Sequence, residues 1–329
     1  MGVGSTDFIV RKVADDPGSD AGTLRRDVSR TRIILILLAV TAILGEGCGR
    51  GSDAGDDDRP SVVASFYPLA FAARRIGGPC VRLVDLTPPG VEPHDLELTP
   101  DGVEAIAEAD LVLYLGGGFQ PGVEEALGEA SGATVDVLGS VPTARGVDGA
   151  AGGPSVDPHV WLDPHRFATI AEAIGRAIDG AGIAASCGIR DRADELRQEL
   201  DRLDGRYRDG LAGCDLDVFV TSHAAFGYLA DRYGLRQEAV AGLEPDTEPD
   251  PRRLAEIAEL VSAERVPVIF TEELVSPEVA ATLAGETGAR TEVLATIEGL
   301  TAKEAEAGED YLSLMEEDLD ALRGALRCA

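Results

Sequence analysis

Residues 80–118, "CVRLVDLTPPGVEPHDLELTPDGVEAIAEADLVLYLGGG", decide the fold. A β-rich run, 80–87, stops at a Pro-Pro-Gly turn. Thr99 or Asp101 can cap the helix that follows in "TPDGVEAIAEA". "DLVLYLGGG" is then a second apolar run that ends in a glycine turn. Upstream, "SVVASFYPLAFAARRIGG" opens with a strand, 62–66, and continues as a helix with Leu69, Ala72, Ala73 and Ile76 on one face. Downstream, "GVEEALGEA" reads as a helix and "ATVDVLG" as a strand. Strands alternating with helices at this spacing predict a parallel, three-layer α/β unit. The glycines of "GGGFQPG", 116–122, lack the lysine-serine pair of a P-loop and the spacing of a dinucleotide fingerprint, so a plain strand-to-helix turn is expected.

The alternation restarts later in the chain. "DVFVTS", "RQEAVAG", "VPVIFTEE" and "RTEVLAT" are strands. "AAFGYLADRYG", "DPRRLAEIAELVSAE" and "SPEVAATLAGETG" are helices between them, and "GEDYLSLMEEDLDALRGAL" is a closing helix. Between the two series lies a long charged helix, 189–211, whose apolar positions Ala193, Leu196, Leu200, Leu203 and Tyr207 recur at three- and four-residue spacing. The expected fold is α/β: two Rossmann-like parallel-sheet lobes, 62–185 and 213–329, joined by a long rigid helix within 186–212.

The chain has 329 residues, enough for two cores. Its net charge of -30 excludes nucleic acid as a partner, because a phosphate backbone needs a basic face. Residues 1–47 carry none of this net charge, so the acidity belongs to the rest. The start of the chain reads as an address. "RRDVSRTR", 25–32, is basic, and "IILILLAVTAILG", 33–45, is uncharged, the layout of a secretory signal. Thirteen residues span about 20 Å as a helix, short of a bilayer core. Cys48 follows in "LGEGCGR", like a lipid-attachment cysteine, although Gly45 stands where a leucine is usual. Residues 1–48 are therefore a signal and lipidation segment, with simple secretion or an uncleaved anchor as alternatives. Polar, glycine-rich 49–61 reads as a flexible tether. Cys80, Cys187, Cys214 and Cys328 remain. In an exported chain an even count suggests disulfides, and Cys214 with Cys328, in the same half, are the expected pair.

Four histidines are present: His94, His159, His165 and His223. His94 follows a strand on a proline-stiffened turn and reads as exposed. His223 follows "DVFVTS". Ligands gather beyond the carboxyl ends of parallel strands, so these two sit at ligand-facing edges, one per lobe. His159 lies in a loop after the low-complexity stretch 144–156. His165 opens a helix after "LDP" and has a capping or surface role. No G-x-S-x-G elbow and no H-E-x-x-H occurs. Three imidazoles suit a borderline divalent metal, zinc above all, and unrelated surface histidines are the alternative.

Five motifs carry a resemblance. "VVASFYPLAFAARRIGG" (62–78), "LTPPGVEPHDLELTP" (86–100), "DPHVWLDP" (157–164), "TSHAAFGYLADRYGL" (221–235) and "FTEELVSPEVAATLAGETGARTEVLATIEGLT" (270–301) resemble, in order, the metal-binding lipoproteins of bacterial ABC importers. These are the zinc and manganese solute-binding proteins of the cluster A-I class. The resemblance implies that His94, His159 and His223 are metal ligands. It gives the fourth place to Glu298 of "ATIEGLT", with Glu272 and Glu273 as rivals, and Thr296 replaces a usual proline. Manganese-type relatives carry a carboxylate at the position of His223, so zinc is implied ahead of manganese or iron. Many zinc-type relatives have a histidine-rich loop before the second ligand, whereas "ARGVDGAAGGPSVD" has none.

The resemblance also implies a metal site in the cleft between the lobes, a membrane permease as partner, a monomer outside the cytoplasm and no enzyme activity. The long helix is expected to restrict hinge motion. A secreted zinc hydrolase is the reading from another class. It would need an open metal position and a general base, which four protein ligands do not leave. Glu92 and Asp95 either orient His94 or are solvated.

Overall fold

The computed structural model describes residues 59–144, 156–182 and 187–329. The expected signal segment, Cys48 and all but the last residues of the tether lie outside the described residues, as does most of the loop 144–156.

The first half forms β1 (Ser61–Ala64), α1 (Tyr67–Gly77), β2 (Arg82–Asp85), α2 (Pro100–Glu108), β3 (Leu111–Tyr114), α3 (Pro121–Ala126) and β4 (Ala133–Asp136), then α4 (Pro164–Gly180). α5 (Ile189–Gly210) follows. The second half forms β5 (Val218–Thr221), α6 (Gly227–Tyr233), β6 (Arg236–Ala239), α7 (Pro251–Glu264), β7 (Val268–Thr271), α8 (Glu278–Thr287) and β8 (Arg290–Val293). It closes with α9 (Ala302–Ala307) and α10 (Tyr311–Leu326).

The two sheets have one plan. Their strand orders are β2-β1-β3-β4 and β6-β5-β7-β8, and every pairing is parallel. Val62 aligns with Leu83 on one side and Leu111 on the other, and Val220 with Glu238 and Ile269. The central strands "SVVA" and "VFVT" are buried throughout, as parallel strands covered on both faces must be. The edge strands expose Arg82, Asp136, Arg236 and Arg290, charges that discourage a further strand from pairing.

Side-chain alternation divides the core. Val62, Ala64, Leu111 and Leu113 of the first sheet and Phe219, Val268 and Phe270 of the second belong to one continuous apolar cluster. Val63 and Val112, and likewise Val218, Val220 and Ile269, point to the opposite faces and pack in two smaller clusters. The large cluster includes Ala193, Leu196, Leu200, Leu203 and Tyr207, so the apolar stripe of α5 is its buried face. α5 packs along α4 and α1 and against α10. A helix seated this deeply in a shared core resists hinge bending.

Caps follow the sequence. Thr99 accepts from the Gly102 amide and Asp163 from the His165 and Arg166 amides, each just before a proline at the first helical position. Disulfides join Cys80 to Cys187 and Cys214 to Cys328, the second being the expected pair. One bond anchors the start of α5, the other the stretch after it. Among the described residues no helix is long and apolar enough to cross a membrane.

Candidate metal centre

Both sheets point their carboxyl ends at one buried cluster. His94 lies on the loop after β2, His159 on the long connection after β4, His223 two residues past β5 and Glu298 five residues past β8. His94 is not the exposed residue expected from its turn. Its side chain is 2% accessible, because the stiff loop directs the ring inward. Gly90 makes that loop possible at φ +87, a left-handed conformation that other side chains disfavour. The amide of Gly90 donates to Leu300 O at 2.7 Å, and Gln120 Nε2 donates to Pro93 O at 3.4 Å. The "GGGFQPG" turn thus supports the site. Its Phe119 ring stands edge-on to His94 at 4.7 Å, and Phe66 and Trp161 complete an apolar floor.

The ring nitrogens converge. Glu298 Oε1 lies 3.6 Å from His94 Nε2, 3.3 Å from His159 Nε2 and 3.7 Å from His223 Nε2. His159 Nε2 and His223 Nε2 are 3.3 Å apart. All four donor atoms fall within 4.8 Å of one another. A tetrahedral zinc with bonds of about 2.0–2.1 Å separates its donors by about 3.3–3.4 Å. The cluster is therefore close to the size of one four-coordinate ion. Neither Glu298 Oε1 nor either ring nitrogen of His94 has an aligned hydrogen-bond partner among the described residues. Buried polar atoms left this way carry a desolvation cost, which a shared cation would remove.

Behind each imidazole stands a carboxylate. Asp157 Oδ1 is 2.9 Å from His159 Nδ1 and also accepts from the His159 amide. Glu272 Oε2 is 2.6 Å from His223 Nδ1, and its Oε1 accepts from the His223 amide. Glu244 Oε2 lies 3.2 Å from His94 Nδ1. At His159 and His223 the hydrogen-bonded carboxylate on Nδ1 fixes the tautomer that presents Nε2 as a lone pair and raises its basicity, whereas Glu244 acts on His94 through its charge. Glu272, a rival for the fourth place by sequence, thus faces the back of His223. Glu273 is outside the four-residue cluster. Glu92 accepts from the His94 amide and does not hold the ring, and Asp95 is exposed beside Asp246. Asp157 and Glu244 were missed. The Asp-x-His spacing of "DPHVWLDP" could have signalled Asp157, but nothing local signals Glu244. His165 is exposed at the start of α4, as expected.

Electrostatics ties the cluster together. Burial alone would lower the His94 and His223 pKa values. The charges of Glu298 and Glu244 on one ring, and of Glu272 and Glu298 on the other, overcome burial and push both up to about 10. Burial would raise Glu298, but the surrounding imidazoles, His94 first, hold it well below the usual carboxylate range. Protons occupy the metal-free cluster, and a metal would have to displace them.

A buried three-imidazole, one-carboxylate cluster where two parallel sheets meet defines a metal-binding α/β protein of the two-lobed solute-binding class. The family model described as "Zinc-uptake complex component A periplasmic" matches residues 62–325, and the chain belongs to that family. It is similar to the high-affinity zinc uptake system protein ZnuA of Bacillus subtilis, with 33% identity over 308 residues, 89% of this chain and 97% of that one. It is also similar to the zinc-binding lipoprotein AdcA of Streptococcus pneumoniae, with 32% identity over 304 residues, 89% of this chain. The chain spans 60% of the length of that AdcA. The crystal structure of the Zn(II)-bound ZnuA-like domain of Streptococcus pneumoniae AdcA superposes with a TM-score of 0.69 at 33% identity, covering 82% of this chain and 99% of that domain.

Proposed function

We propose that this protein is the extracytoplasmic solute-binding component of a zinc ABC importer, capturing Zn2+ and handing it to a membrane permease. His94, His159, His223 and Glu298 are the ligands, and zinc is cargo rather than a resident cofactor. The observation that carries this reading is the convergence of four buried donors, three of them imidazole Nε2 atoms, within 4.8 Å. Three nitrogens and one oxygen suit zinc better than manganese, which favours more oxygen ligands. Four protein donors complete a tetrahedral shell and leave no position for reactive water, so a binding protein fits better than a hydrolase.

The lobes span 62–185 and 213–329 and are linked through 186–212. The site draws on both, and with α5 fixed in the core, release proceeds by small shifts of the ligand loops. Cys48 carries the lipid anchor that keeps a monomer at the membrane. Competition of the purified mature protein against a chelating dye tests the function. One tightly bound zinc per chain, preferred over manganese and without hydrolytic activity, supports it. Absence of saturable zinc, or a preference for manganese, contradicts it. Mass spectrometry of the mature N-terminus tests the anchor.

A further inference from the structure

Glu298 sits on a short segment that other elements tie down at three points. The Trp161 indole N–H donates to Thr296 O at 2.8 Å. The Gly90 amide donates to Leu300 O at 2.7 Å. Asp318 of α10 accepts from the Ala295 amide at 2.8 Å. Trp161 is two residues past His159, and Gly90 is four residues before His94. Glu298 therefore lies between two ties, each running to one ligand loop of the first half. Tyr311 braces the arrangement by donating from its hydroxyl to Trp161 O at 2.5 Å.

Between the tied residues and Glu298 stands Ile297, at φ +53. A β-branched side chain disfavours that left-handed geometry, which persists only where the surroundings impose it. Thr296 is held through its carbonyl and Ala295 through its amide, and residues 295–298 are all buried. A phenylalanine at 161 would keep an aromatic ring in the floor, although it fills less of the buried space than tryptophan does. What only the indole supplies is the N–H on Thr296. Asp318 is likewise buried, with Oδ2 unpartnered among the described residues, a costly placement for a group that merely fills space.

We propose that Trp161 and Asp318 are positioning residues for Glu298: together they impose the Ile297 turn that aims the carboxylate at the imidazoles, and Trp161 makes the His159 loop and Glu298 move as one unit. The inference rests on Glu298 being a zinc ligand. It adds that loosening a contact outside the metal shell releases the carboxylate and the imidazole loop together.

A double-mutant cycle tests it, with zinc affinity read by competition against a chelating dye because Trp161 is the sole tryptophan. Trp161→Phe is expected to weaken zinc binding roughly 10–100-fold, as loss of an outer partner does. In a Glu298→Gln background the same change is expected to cost much less, because the positioned carboxylate is gone and only the His159 loop is left to loosen. Asp318→Leu should repeat this pattern. Asp318→Asn, which keeps the acceptor for Ala295, should bind as the parent does. Should Trp161→Phe fail to fold, Asp318→Leu completes the cycle. Parental affinity in both Trp161→Phe and Asp318→Leu, or losses that multiply in full with Glu298→Gln, overturn the proposal. If Glu298→Gln alone binds zinc unchanged, the ligand assignment itself falls.

Discussion

The Nε2 atoms of His159 and His223 lie 3.3 Å apart, although the residues belong to different halves of the chain. Two imidazole nitrogens at that distance need a proton or a cation between them. His223→Ala is expected to weaken zinc binding by more than the roughly 100-fold upper range for an outer partner. Dye competition measures this directly, and unchanged affinity removes His223 from the site.

Glu272 touches His223 from behind, at 2.6 Å. Glu272→Gln removes the charge that supports the ring but leaves four donors in place. The expected result is one zinc per chain, bound roughly 10–100-fold more weakly. Asp95→Asn, at an exposed side chain, should stay within about twofold, as most surface changes do. Loss of zinc stoichiometry in Glu272→Gln would instead make Glu272 a ligand.

Zinc binding should release protons. His94 and His223, each with a pKa near 10 in the metal-free protein, are protonated at neutral pH and must give up that proton to bind metal. Calorimetry in buffers of different ionisation enthalpy at pH 7 is expected to find about two protons released per zinc. Affinity should rise with pH toward 10. Stability of the metal-free protein should run the other way. Both pKa values are raised on folding, so their contribution is full below about 6.5, the unfolded value, and is lost as pH climbs through about 10. Zinc binding without proton release would contradict this picture.

The Cys214–Cys328 bridge closes a separation of 114 residues and ties the chain's end to the stretch after α5. Replacing both cysteines by serine is expected to lower stability by about 2–5 kcal/mol in denaturant titration. Zinc stoichiometry should survive, since the bond is remote from the four donors. Concurrent loss of zinc binding would show that the bridge shapes the site.

Much of the layout was legible because its signals are local. The β-branched runs, the proline-started helices and the stripe from Ala193 to Tyr207 each record burial within a few residues. The short helix α9 has no apolar stripe and was missed, although Thr301 and Glu304 form a capping box at its start. The four donors were placed by motif resemblance, since spacing alone left open whether the histidines met. Glu244, 150 residues from His94, could not be paired with it from sequence, because only the fold sets that distance. The inward turn of His94 was misread for the same reason. Polar neighbours and prolines suggest exposure, while the groups around the ring, Phe119 and Glu298 among them, lie elsewhere in the chain.

The most direct test of the central claim is anomalous diffraction at the zinc edge from crystals of the zinc-loaded mature protein. The expected result is one strong peak bonded by Nε2 of His94, His159 and His223 at about 2.0–2.1 Å, with a Glu298 oxygen completing the tetrahedron. A peak elsewhere, or a shell in which Glu272 or water takes the place of Glu298, would contradict it.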